Sequence, residues 1–233
     1  MKLRGRRECA DCGERWSYFE TGGVACPACG SVRSVAVDDE PALHTDGDPT
    51  LDLTGTRAAV DDRPLTEVAT LAADACRAYL AERGFIDAGE LLALDEVTVA
   101  AAELRAVADR VRRGLTTDEA AERHLLALLE GAPEGERPAD VPDALRAARG
   151  LGVAAAVEQY RADVARYLDA HPDPDARRQL GTLRDHLRRV EALDGDVPTE
   201  TASRLLAAAR DIGAYLDGDD AGLARAEDRL SRR

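Results

Sequence analysis

Apolar positions recur along most of this chain at the spacing of a helix that turns one face to a core. Leu65, Val68, Ala72, Ala75, Cys76 and Tyr79 share such a face. Pro64 can open that helix after Asp61 or Asp62 as a cap, and Gly84 ends it. Val97, Ala101, Leu104, Val107 and Val111 make a second stripe, running from a cap at Asp95 to Gly114. Thr116 and Glu119 have capping-box spacing and predict a third helix as far as Glu130. Pro142 opens a long helix with Leu145, Ala148, Gly152, Ala156, Tyr160, Val164 and Tyr167 inward, ending near His171-Pro172. The next, from about Asp175 to Leu193, carries Leu180, Leu183, Leu187 and Val190 on one side. Thr199 caps a helix with Leu205, Ala209, Ile212 and Leu216, and a last one holds Leu223, Ala226 and Leu230. These seven helices with short connections predict a helical bundle over residues 65–233, with no repeat period.

The first 37 residues follow a different pattern. "ERWSYFE" alternates as a strand, with Trp16 and Tyr18 on one face and Phe19 on the other, and "TGG" reads as a turn. "SVRSVAV" predicts a further strand. Residues 38–64 are rich in Asp, Pro, Gly and Thr and read as an acidic linker, with one helical turn around Thr56–Val60. The expected fold class is mainly α: a small N-terminal β module (1–37), a linker (38–64) and an all-α body (65–233).

Composition agrees with a helical body. Hydrophobic residues are 45% of the chain but aromatics only 3%, so Ala, Leu and Val build the core. The net charge is −14, and Lys2 is the only lysine among 31 basic residues. Such an acidic, arginine-over-lysine chain resembles proteins of salt-loving organisms. In molar salt the Debye length falls to about 3 Å, which weakens any argument from exposed charge. Residues 1–37 carry six basic and four acidic side chains, a net +2 that leaves −16 on the remainder. No apolar run approaches a membrane span, and "MKLRGRRECADCG" lacks the apolar core of a signal peptide. A cytoplasmic location is expected.

The chemistry is concentrated in "CADCGERWSYFETGGVACPAC". Cys9 and Cys12 are separated by two residues, as are Cys26 and Cys29, with 13 residues between the pairs. Two intervening residues let both thiolates of a pair face one ion, and Gly13 and Gly30 supply the permissive backbone that each turn needs. In a reducing compartment this pattern favours metal over disulfides. Four thiolates close a tetrahedral Zn²⁺ site without an open position, the structural type, and its binding energy folds a segment too small for its own core.

With its "CADCGERWSY" and "CPACGS" knuckles, the module resembles the zinc ribbons of transcription-factor-IIB type. The layout of ribbon, acidic linker and Ala/Leu-rich helical body is similar to a family of uncharacterised halophilic archaeal proteins with such a ribbon. The resemblance covers about the first forty residues. It implies a zinc site at Cys9, Cys12, Cys26 and Cys29 and an association with transcription machinery. The chain lacks the two cyclin-like repeats and the longer inter-pair loop of an initiation factor.

Rubredoxin-like knuckles bind iron, and paired with a di-iron bundle they handle peroxide; such a bundle needs Glu-x-x-His pairs. Three residues before His44, His124, His171 and His186 stand Pro41, Ala121, Leu168 and Leu183, so no pair exists. His124, near Glu119 and Glu122, reads as part of an exposed polar face, and Cys76 as a small core residue. No phosphate loop, Gly-x-Ser-x-Gly or His-Glu-x-x-His motif is present. Nucleic-acid binding would use Arg4, Arg6, Arg7, Arg15 and Arg33 with stacking by Trp16, Tyr18 or Phe19. A second basic group, Arg177, Arg178, Arg184, Arg188 and Arg189, reads as a solvated face. The expectation is a non-enzymatic adaptor or regulator that docks a protein partner through the ribbon, with direct DNA or RNA binding as the alternative.

Overall fold

The computed structural model describes residues 2–38, 40–114 and 118–231. It is mainly α, with small antiparallel sheets near the N-terminus. The strands are β1 (Lys2–Leu3), β2 (Arg6–Cys9), β3 (Arg15–Ser17), β4 (Ser34–Ala36), β5 (Ala42–Leu43), β6 (Ile86–Asp87) and β7 (Glu90–Leu91). The helices are α1 (Tyr18–Thr21), α2 (Thr54–Ala58), α3 (Leu65–Glu82), α4 (Glu96–Arg112), α5 (Glu119–Gly131), α6 (Arg146–Ala170), α7 (Pro174–Ala192), α8 (Thr199–Leu216) and α9 (Gly222–Ser231). All seven helices expected from periodicity, α3 to α9, are present.

Their ends show which local signals act. The Asp95 carboxylate accepts from the Thr98 amide at the start of α4, and Asp173 accepts from Asp175 and Ala176 ahead of Pro174 in α7. The Asp118 carboxylate accepts from the Ala121 amide at 2.7 Å and starts α5; the Thr116 cap expected there lies outside the described residues. Two expected caps are corrected. Neither Asp61 nor Asp62 caps α3: Pro64 stands at the cap position without a side-chain bond. Pro198, not Thr199, stands there in α8. Both prolines adopt ψ near 140° and steer the chain into the helix by backbone geometry alone. The helix expected from Pro142 begins instead with one 3₁₀ turn, Asp143–Leu145, before α6.

The body has two apolar cores that share α4 as a partition. One gathers α3, α4 and α5 around Leu104, Leu125, Leu128 and Val107, and the other gathers α6 to α9 around Val157, Tyr160, Leu183, Leu205 and Ile212. Between them α4 is buried on nearly all sides, so its polar Thr98 and Glu103 are buried too. Gly152 of α6 lets the two helices touch: a Cβ there would lie 2.6 Å from Glu103 Cα.

The 38–64 segment, expected as an acidic linker, runs along the body and contributes Leu51, Leu53, Thr56 and Ala59 to its buried interior. Thr45 and the Phe85 amide both donate to Asp163 Oδ2, at 2.7 and 2.8 Å, tying this segment and α6 together. The β6–β7 hairpin turns on Ala88 and Gly89, both at positive φ. Phe19 packs on His44 with ring centroids 4.8 Å apart, and His44 Nδ1 lies 3.2 Å from Asp87 on that hairpin. This contact chain positions the N-terminal module against the body. Among the described residues no helix is long and apolar enough to cross a membrane.

Candidate metal centre

The N-terminal module is a three-stranded antiparallel sheet in the order β3-β2-β4, with Arg7 opposite both Trp16 and Ala36. Two turns, each built around one Cys-x-x-Cys pair, face one another beside it. They repeat one geometry. The Cys9 amide donates to Glu14 O at 2.8 Å, and the Gly13 amide donates back to Cys9 O at 3.0 Å. In the second turn the Cys26 amide donates to Ser31 O and the Gly30 amide to Cys26 O, both at 2.8 Å. Gly13 and Gly30 sit at φ +76° and +73°, a conformation that side chains disfavour. The first cysteine of each pair is buried and the second exposed.

The two turns are also fastened to each other. Ser31 Oγ donates to Asp11 Oδ2 at 2.5 Å, Arg33 reaches Asp11 Oδ1 at 2.9 Å, and the Ala10 amide donates to Arg33 O at 2.8 Å. The effect is to hold the four sulfurs together. All lie within 4.8 Å of one another, with Cys9 to Cys29 at 3.6 Å and Cys12 to Cys26 at 3.5 Å. A disulfide needs sulfurs at about 2.05 Å, and all four cysteines are free. Tetrahedral thiolates at about 2.3 Å from an ion stand roughly 3.8 Å apart. The spacing therefore fits a shared ion and does not fit disulfides.

The electrostatics agree. The amides of Cys12 and Asp11 pull the Cys9 thiol down to about 7. The Glu14 amide favours the Cys12 thiolate as well, but its proximity to Cys29 and Cys26 wins and pushes the group up to about 12. Four adjacent thiolates repel one another, and a divalent cation is the group that relieves this.

Around the centre the aromatics depart from the expected alternation. Only Arg15–Ser17 is strand; Tyr18 and Phe19 enter the short α1. Trp16 is buried with Cys9 and Cys26, and its indole donates to Gly23 O at 3.2 Å. Phe19 fills the space left by Gly5, where a Cβ would fall 1.9 Å from its ring. Three of the ribbon's arginines form ion pairs: Arg6 with Asp38 at 2.6 Å, Arg15 with Glu8 at 2.6 Å and Arg33 with Asp11. Arg7 donates to Ser34 Oγ at 2.9 Å. Beside these charged groups the module exposes aliphatic side chains. Val24, Val32, Val35 and Val37 are all exposed, Val32 at 73%.

Elsewhere one expectation is overturned. His124 is not on an exposed face: it is buried, with Nε2 3.4 Å from Glu103 Oε1. Glu103, fully buried, also receives Arg149 at 2.8 Å and Arg137 at 3.3 Å. The sequence stripe hid this cluster because Glu103 lies on the side of α4 that meets α6, beside Gly152. Cys76 is buried within the α3 face, and desolvation pushes its thiol up to about 12. His171 stacks on Tyr167, and His186 faces Leu230 O at 3.0 Å. In the second basic group Arg177 pairs with Asp169, Arg178 with Asp175, and Arg184 and Arg188 lie near Asp185.

Comparison with known families matches residues 1–230 to one described as a family of unknown function, DUF7117. No curated protein and no solved structure matches the chain.

Proposed function

The chain belongs to DUF7117, a family of unknown function, and from that starting point we propose that residues 1–37 are a zinc-folded docking module of a non-enzymatic adaptor. Cys9, Cys12, Cys26 and Cys29 would hold the ion, and zinc is the divalent metal that four thiolates in a closed tetrahedron favour. With all four positions taken by protein, the ion supplies folding energy rather than a reactive water. The association with transcription rests on the resemblance of the two knuckles to transcription-factor-IIB-type ribbons. The acidic, arginine-rich composition and the unpaired thiols support a salt-rich, reducing cytoplasm as the setting.

The observation that carries docking is the position of exposed apolar surface. Of the five large hydrophobic side chains exposed among the described residues, four are the ribbon valines Val24, Val32, Val35 and Val37. Strand β4, which carries Val35, is an edge of its sheet, so its outer backbone groups are free to pair with an added strand. Nucleic-acid binding is the weaker reading, because three of its five arginines, Arg6, Arg15 and Arg33, are held in ion pairs and Trp16 is buried.

A photo-crosslinking residue at Val32 in the full-length protein tests this in extract at high salt. A discrete protein adduct at Val32, absent when the same residue is placed at Glu200 on α8, is expected. A nucleic-acid adduct, or none, contradicts the reading. Salt titration with DNA and RNA gives the second arm: docking through valines is insensitive to salt, whereas phosphate contacts weaken steeply as it rises.

A further inference from the structure

The helical body holds a cleft of about 370 Å³ between α4, α6 and the end of α7. Its floor is apolar and made of small side chains, among them Ala102, Ala106, Ala148 and Gly152, with Leu80 and Leu151 at the sides. Three arginines line it, Arg105 and Arg110 of α4 and Arg113 just past its C-terminal end. Arginines in this chain are mostly paired with carboxylates; these three make no ion pair with any described residue, although Arg105 also faces the Cys76 thiol. Arg110 Nε is buried and has no hydrogen-bond acceptor. A buried donor without an acceptor is costly and rare in a native fold. Of the acidic side chains at the rim, Asp109 is held by Arg112 at 2.7 Å, leaving Glu191 and Asp194 at the α7 end.

We propose that this cleft binds a small organic oxyanion, a carboxylate or phosphate head on a compact apolar body. The guanidinium forks match either head bidentately. The alanine and glycine floor takes the apolar part, and the volume lies within the range of small-molecule sites. Glu191 and Asp194 repel a second anionic group, so a polyphosphate or nucleic-acid strand is selected against. The site is independent of the ribbon.

Calorimetric titration of the full-length protein with hexanoate, hexyl phosphate and inorganic phosphate tests the proposal, with hexanol as the uncharged control. One of the two hexyl oxyanions should bind at least tenfold more tightly than inorganic phosphate and hexanol, and which one does identifies the head group. Arg110→Gln should weaken that binding at least tenfold. Ala155→Trp, on an exposed lining position that can be enlarged without entering the core, should abolish it while the circular dichroism stays unchanged. The proposal is overturned if neither hexyl oxyanion binds at millimolar concentration, if inorganic phosphate binds as well as both, or if Ala155→Trp binds like the parent.

Discussion

Replacing Glu103 with Met tests how the centre of the body is held together. Glu103 is fully buried and receives Arg149 at 2.8 Å, Arg137 at 3.3 Å and His124 at 3.4 Å. Met keeps the volume and removes the charge. Arg137, 20% exposed, then turns toward water or toward Glu96 at 3.6 Å. Arg149 has no such escape, since its remaining contact is Pro138 O at 2.6 Å. Stranding one buried charge costs about 3–5 kcal/mol. With Arg137 able to relax, about 3 kcal/mol is expected, the low end of that range and a fall in Tm of roughly 6–12 °C for a chain of this size. Glu103→Met/Arg149→Met removes both charges and should lose about 1 kcal/mol or less, so the two sites couple by at least about 2 kcal/mol, and by more to the extent that Arg149→Met alone destabilises. Urea denaturation of the parent, both single variants and the double variant measures this. A double variant as unstable as Glu103→Met, or a single variant within about 1 kcal/mol of the parent, refutes the reasoning.

Further outcomes follow from the same structure. Burial alone would raise the Glu103 carboxyl, but the His124 hydrogen bond and the charges of Arg149 and Arg137 outweigh it and hold the group below the usual carboxylate range. Its stabilisation is therefore present above the ordinary glutamate pKa and is lost as pH falls through the lowered one; Glu103→Met should flatten the acid limb of a stability-against-pH curve. Gly152→Ala should destabilise by about 1–3 kcal/mol or more, because the added Cβ meets Glu103 Cα at 2.6 Å and Ala102 O at 2.9 Å; thermal melts measure it. Chelation at neutral pH should unfold the ribbon and leave the body intact, seen as loss of near-ultraviolet signal from Trp16, the only tryptophan, with helical circular dichroism retained.

Helices on the body's perimeter were legible because one face meets the core and the other meets water, as in α7 with Leu180, Leu183, Leu187 and Val190. Helix α4 was legible as a helix but not as a partition. A single stripe predicts one partner, and only tertiary structure shows a second core behind it. The Glu103–Arg149 cluster was invisible for the same reason, joining residues 46 positions apart on two helices. The grouping of the four cysteines was legible, since two intervening residues in each pair favour a local turn. The fate of the aromatics was not: Trp16 lies under the centre and Phe19 in the gap at Gly5, positions set by long-range packing. Leu51 and Leu53 were hidden by the aspartates, prolines and glycines around them, a composition that marks absence of regular structure rather than absence of burial.

Elemental analysis of the purified full-length protein, beside a Cys12→Ser/Cys29→Ser variant, tests the centre most directly. Two exposed cysteines are removed in that variant while buried Cys9 and Cys26 remain. One zinc per chain in the parent, and none in the variant, is the predicted result. Iron in place of zinc, or a parent protein that folds its ribbon without metal, contradicts it.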